Sequence, residues 1–240
     1  MSTYFTTAAI TLAHQRRGEG DRIYTLLVAT GGRLEAVADG SGKILSKLAG
    51  HLEPFSEAVV TVVQRGNTTK LTGAVCRRRF LNIARTVERM TAAGACLRLS
   101  RQLIGVDQDD PRPYALLRDA LAMLDDDLPP AVRDGVPAVF ALQLSSLLGW
   151  RPQLDRCGRC NTAVASGVFD PPAGALFCAS CARGNPAARA LEAETLRYLR
   201  TVLRNPLAEA ALVQTSEDTR RTAKQMVNEL VTYHATVKGA

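Results

Sequence analysis

The sequence predicts an α+β chain: an N-terminal OB-fold β-barrel over residues 1–79, then an α-helical domain over residues 80–240 that carries a four-cysteine zinc-binding insertion at about 155–184. Three observations carry this. Five strand-like runs crowd into the first eighty residues, with a long connection after the third. From Phe80 the apolar residues recur at helical spacing instead. Two C-x2-C pairs stand 17 residues apart in the C-terminal half.

The strands come in order. Thr6 to Leu12 is rich in small and β-branched residues, and Arg22 to Ala29 follows. Gly31-Gly32 then separates that run from Arg33 to Ala38, which marks a hairpin. A second hairpin joins Ala58–Val63 to Leu71–Val75 across Arg65-Gly66-Asn67, and Ser41 to Leu52 has room for one short helix. An SH3-like barrel is the rival architecture, and spacing alone does not separate the two.

The first helix is expected from Phe80, with a stripe of Ile83, Val87, Met90, Gly94, Leu97 and Ile104. Pro113 opens a second helix along Leu116, Leu117, Ala120, Leu121 and Leu124, closed by Asp125-Asp126-Asp127 and Pro129-Pro130. A third, from about Ala131 to Leu148, is apolar nearly all round, which suits the middle of a bundle, and Gly149 stops it as a C-terminal glycine cap. Leu191, Tyr198, Leu199 and Val202 mark a fourth, stopped at Asn205-Pro206. The last runs from about Asp218 to Val237 on a stripe of Ala223, Met226, Val227, Leu230, His234 and Val237.

The 46% hydrophobic and 22% charged residues are ordinary for a globular protein and argue against disorder. A net charge of +7 points to a polyanionic partner. Residues 1–79 hold 11 Lys and Arg against 6 Asp and Glu, so the excess sits mainly on the barrel. With 5% aromatic residues, base reading by stacking alone is not expected. No apolar run has the length of a membrane span, and Met1 to Thr7 lacks the pattern of a signal peptide. A cytoplasmic protein with no membrane partner is therefore expected.

In a reducing cytoplasm, paired C-x2-C turns mean metal rather than disulfides. Cys157, Cys160, Cys178 and Cys181 can each give one thiolate to a tetrahedral zinc, brought together by a hairpin of Val168-Phe169 and Ala175-Leu176-Phe177. Four thiolates leave no open position, so one structural zinc per chain is expected, with a lesser option that Arg156 and Arg159 touch DNA. Cys76 and Cys96 read as buried thiols.

Catalysis is not expected. His14, His51 and His234 lie in separate elements, and no phosphate loop, dinucleotide fingerprint or HExxH is present. His234 reads as a packed histidine, and Asp125 to Asp127 as solvated or as a cap for the following helix. The candidate DNA-binding set is Arg16, Arg17, Arg22, Arg33, Lys43, Lys47, Lys70, Arg77, Arg78 and Arg79, collected as one phosphate-binding face.

Gly18 to Leu27, Gly32 to Ala38, Ser46-Lys47-Leu48-Ala49-Gly50-His51-Leu52-Glu53-Pro54-Phe55, and Leu147-Leu148-Gly149-Trp150-Arg151-Pro152 ahead of the cysteine pairs together resemble the RecO family of bacterial recombination mediators. The stretch from Ala38 to Leu45 is less basic than is usual there, and Trp150 stands at a Tyr-like position. The resemblance implies a nucleoid-associated DNA-repair protein with an OB-fold, a helical domain and a zinc insertion. It implies binding to single- and double-stranded DNA, strand annealing, and work with RecR to load RecA onto strands coated by single-strand-binding protein. It also implies capture of that protein's acidic tail, for which Arg98, Arg101, Arg118 and Arg133 are the available cations. The alternatives are a nucleic-acid-processing enzyme and a transcription or translation module, each with a structural zinc ribbon.

Overall fold

The computed structural model describes residues 2–43, 46–106, 108–182 and 189–238. They fall into two compact units, residues 1–128 and 129–240. The first unit therefore extends past residue 79 and takes two helices with it.

In the first unit, β1 (Ser2–Arg17), β2 (Asp21–Val28), β3 (Arg33–Ala38), β4 (Ser56–Arg65) and β5 (Thr68–Arg79) run round an OB-like barrel in the order β1-β2-β3-β5-β4. Closure depends on β1, whose first half pairs with β4 and whose second half pairs with β2, with a register shift between Thr11 and Ala13. The β3–β5 seam is slender, a parallel pairing at Val37 and Lys70. Sequence reading ends β1 at Leu12; the strand continues to Arg17 because residues 13–17 pair in antiparallel register with Thr25 to Asp21 of β2.

Alternation fills the barrel. Tyr24, Leu26, Val28, Ala36, Ala38, Ala58, Val60, Val62 and Leu71 form its core, with Leu52 buried among them. Gly31 and Gly32 sit at φ 118° and 74°, as a tight β2–β3 turn requires. A Cβ at Gly31 would also meet the backbone of Asp110 and Gln108 at 2.5 and 2.7 Å, so the turn is glycine for space as well as for conformation. The expected helix between β3 and β4 is reduced to a 3-10 turn at Ala49–His51, while Ile44 and Leu45 lie outside the described residues.

The two helices of this unit are α1 (Val87–Leu103) and α2 (Arg112–Asp125). The anticipated stripe of α1 is wrong in its first half. Val87 and Met90 face solvent, and Ile83 belongs to a separate 3-10 turn. The buried face is Arg89, Ala92, Ala93, Cys96, Leu97, Ser100 and Leu103, which a hydrophobicity pattern misses because two members are polar. Arg89 directs its guanidinium at the carbonyls of Leu124, Asp125 and Asp126 and at the Asp127 carboxylate, capping α2. The acidic run is thus tied to α1 and to the Asn82 backbone N–H, and no side chain caps the helix that follows.

The second unit packs α3 (Pro130–Leu147), α4 (Ala193–Arg204), α5 (Leu207–Ala211) and α6 (Glu217–Lys238), with α3 touching the other three. That contact explains its apolar circumference. Gly149 at φ 90° closes α3 as anticipated, with Trp150 N–H donating to Ser145 O at 2.8 Å. The His234 ring stacks on Trp150 at 4.9 Å, and burial lowers its pKa. The α6 stripe holds through Leu230, while the side chain of Val237 lies outside the described residues. Leu191 is not helical. It ends β8 (Arg189–Leu191), which joins β6 (Gly167–Asp170) and β7 (Ala175–Phe177) in a three-stranded sheet ordered β7-β6-β8.

Candidate metal centre and nucleic-acid face

The cysteine pairs lie on the two turns that the β6–β7 hairpin presents. Sγ atoms of Cys157, Cys160, Cys178 and Cys181 all lie within 4.8 Å of one another, and those of Cys160 and Cys178 are 3.7 Å apart. A tetrahedral ion with bonds of about 2.3 Å to sulfur has sulfur–sulfur edges of about 3.8 Å, so this edge fits zinc. Donor chemistry agrees. The Cys178 N–H points at Cys157 Sγ at 3.5 Å, while Thr162 and Ser180 hydroxyls lie 3.0 and 3.1 Å from the sulfurs of Cys160 and Cys178. Backbone N–H groups of Cys160 and Cys178 bring the Cys157 thiol down to about 6. A hydrogen bond with the Cys178 sulfur, and then burial, push the Cys181 thiol up to about 12. The Cys178 thiol is also lowered, first by the Ser180 hydroxyl, so two sulfurs lean towards thiolate and a bound cation would favour release of the remaining protons.

The turns are held from α4. Arg200 donates through Nη2 to the carbonyls of Leu154 and Val164 at 2.6 and 2.7 Å, and its Nε lies 3.1 Å from Asp155. Arg204 reaches the same carboxylate at 3.1 Å. Phe169, Leu176 and Leu191, on the three strands of the small sheet, are buried. Nothing in the sequence flags Arg200, since its partners, two carbonyls and the Asp155 carboxylate, lie 36 to 46 residues away in the chain. Arg183 and Gly184, the end of the anticipated insertion, lie outside the described residues. Arg156 is exposed and donates to Asn161 O at 2.9 Å; Arg159 is exposed.

The ten candidate basic residues of the barrel are spread over several places. Arg16 and Arg22 are cross-strand neighbours at the β1–β2 end, and Arg17 stands opposite Asp21. The Lys43 stem passes over Gly20 in the same turn, whose carbonyl takes the Gly42 N–H at 2.8 Å. Lys70 pairs with Asp39 at 2.7 Å beside the end of β3. Arg77, Arg78 and Arg79 stand roughly 23 Å or more along β5 from Lys70, at about 3.3 Å per residue. Each is engaged there: Arg77 lies 3.9 Å from Glu57, Arg78 lies over the Phe80 ring, and Arg79 donates to Gly50 O at 2.6 Å. Lys47 is exposed ahead of the 3-10 turn that Arg79 holds, and Arg33 lies apart, donating to Arg101 O at 2.5 Å.

The isolated thiols and histidines have packing roles. Cys96 is buried, and burial pushes its thiol up to about 12. Cys76 is only half-buried; its N–H donates to His51 Nδ1 at 3.2 Å. In the second unit a groove of about 550 Å³ runs between α3, α4 and α6, walled by Val139, Leu142, Leu199 and Val227. Its cations are Arg220, Arg221 and Lys224 of α6. Of the four arginines expected to serve an acidic tail, Arg98, Arg101 and Arg118 belong to the first unit, and Arg133 is paired with Asp134 at 3.6 Å.

Residues 1–80 match the family model described as Recombination protein O N terminal, and residues 84–238 match Recombination protein O C terminal. Similar curated proteins include the DNA repair protein RecO of Anaeromyxobacter sp. (strain K), 31% identical, with 90% of this chain and 86% of that protein covered. That of Myxococcus xanthus (strain DK1622) is 30% identical, with 94% and 90% covered. That of Roseiflexus sp. (strain RS-1) is 28% identical, with 93% and 78% covered. Matched from its first strand to its last helix, the chain belongs to the RecO family.

Proposed function

We propose that this chain is a non-catalytic mediator of bacterial recombinational DNA repair, acting at the nucleoid in the cytoplasm. In this reading the barrel binds single- and double-stranded DNA and anneals complementary strands. With RecR it helps RecA onto strands covered by single-strand-binding protein. The observation that carries the reading is the full-length likeness to proteins named for DNA repair, joined to an OB-like barrel whose residues 1–79 carry most of the positive charge. A non-catalytic role is supported by the histidines, which stack on Trp150, lie against Tyr24 or accept from Cys76 N–H.

One structural zinc holds the insertion in this reading. It would sit among Cys157, Cys160, Cys178 and Cys181, neutralising the thiolates and linking the two turns. The acidic tail of single-strand-binding protein fits the groove of the second unit, which combines apolar walls with the cations of α6. No described helix is long and apolar enough to cross a membrane.

The deciding experiment is annealing of complementary labelled strands, with and without single-strand-binding protein. Acceleration by the chain, increased in the coated reaction when RecR is added, is the expected result. Unchanged annealing together with turnover of a nucleotide substrate would replace this reading with the enzyme one.

A further inference from the structure

The outer face of β1, β2 and β3 carries a second recess, of about 460 Å³, between the barrel and α1. Its floor is a cross-strand row, Ala13 opposite Thr25 and Thr25 opposite Glu35. Strands about 4.8 Å apart make that floor roughly 10 Å wide. Arg98, Arg101 and Gln102 wall it from one face of α1, at the spacing that puts side chains side by side, and Arg33 walls it from β3. Arg33 is fixed by its bond to the Arg101 carbonyl, so barrel and helix are tied at the recess itself.

Charge makes the recess unusual. Arg89 on α1, and Arg112 and Arg118 on α2, each have a carboxylate partner within 3.1 Å. Arg98 and Arg101 have none among the described residues, and Glu35 is the one carboxylate in the lining against three guanidinium groups. Unpaired guanidinium forks on a rigid helix beside a strand suit phosphate oxygens. Histidine at position 14 is the sole ring in the lining, so the chemistry is that of a sugar–phosphate backbone rather than of stacked bases. An acidic peptide ending in an apolar side chain would find no apolar pocket here. In OB folds generally, the face of the second and third strands is where oligonucleotides lie.

We propose that this recess is a phosphate-binding groove for a DNA strand, with Arg98 and Arg101 as its contacts and Glu35 limiting its affinity. The proposal rests on the DNA-binding reading above. It extends the nucleic-acid surface from the barrel onto α1, which sequence reading assigned to a peptide partner.

The test is fluorescence anisotropy of a labelled oligothymidylate with the full chain across a salt series, comparing wild type, R98Q/R101Q, R98K/R101K and Glu35→Gln. The glutamine pair should weaken binding on the order of tenfold near 0.1 M salt and flatten the log–log slope by about 1.4, two phosphates at about 0.7 each. The lysine pair should keep the slope, and Glu35→Gln should tighten binding about twofold, which a structural role for the arginines would not produce. If wild type binds DNA and the glutamine pair leaves slope and affinity unchanged, the groove is not a DNA site and the functional reading survives. No DNA binding by wild type would overturn both. Pyrophosphate, nucleoside triphosphate or an acidic peptide binding in an Arg98- and Arg101-dependent way, with DNA affinity untouched, would also overturn the proposal.

Discussion

The hydroxyl of Tyr114 on α2 donates a 2.8 Å hydrogen bond to Oε1 of Glu57 on β4. Glu57 is nearly buried, and its nearest cation, Arg77, is 3.9 Å away. Helix and barrel are therefore joined by a neutral donor and a carboxylate that has little water to fall back on.

Removing that donor should be felt. Tyr114→Phe should lower the stability of the first unit by about 1–3 kcal/mol, the usual cost of stranding a buried acceptor, as read by urea denaturation. Burial, and then the bond to Glu57, raise the Tyr114 pKa above its ordinary 10.0. A raised folded-state pKa means the contribution is complete below about pH 10 and is lost as pH rises beyond it. The difference between wild type and Tyr114→Phe should shrink above pH 10; a constant gap would show that the bond is not its source.

Metal removal should unfold the insertion. Chelation, or Cys160→Ser, should cost about 5 kcal/mol or more of local stability, since the coupled binding of zinc is folding free energy. Elemental analysis should give one zinc per chain for wild type. Thiol titration after chelation should expose Cys157, which is otherwise buried.

Arg200 should act on the metal without touching it. Arg200→Ala strands the Leu154 and Val164 carbonyls and frees Asp155. Faster amide exchange around those residues and a zinc off-rate raised at least severalfold are expected, with zinc stoichiometry unchanged. An unchanged off-rate would confine Arg200 to packing.

Lys43 and Lys47 are exposed, so their loss should leave folding intact. Replacing both with Ala should flatten the salt dependence of single-strand binding by about 1.4 if each neutralises one phosphate. No flattening would move the contacts towards Arg16 and Arg22.

Much of this was legible from residue order. Both glycine-marked hairpins, the Gly149 stop and the four sulfurs could be read because each depends on a local rule of spacing or backbone conformation. What escaped depends on partners distant in the chain. Polar β1 residues 14–17 are strand only because β2 lies beside them, Arg89 is buried only because α2 ends beside it, and Leu191 is strand because β6 offers an edge. The placement of the basic residues was not legible either, since charge totals carry no positions. Lys70 and Arg77 to Arg79 occupy opposite ends of one strand, and each of the four has a partner within the barrel unit.

The pairing of β8 with β6 has a consequence for how this protein can diversify. Because the third strand of the small sheet lies beyond the last cysteine and leads directly into α4, the sulfur-bearing hairpin is not a detachable cassette. A descendant that lost its cysteines could not simply excise residues 157–181 and rejoin the ends. It would have to retain β6 as a template for β8 and replace the ion with enough apolar packing around Phe169 and Leu191 to hold the turns. Metal-free lineages should therefore keep the hairpin and enlarge the side chains at the four vacated positions, trading sulfur for hydrocarbon in place.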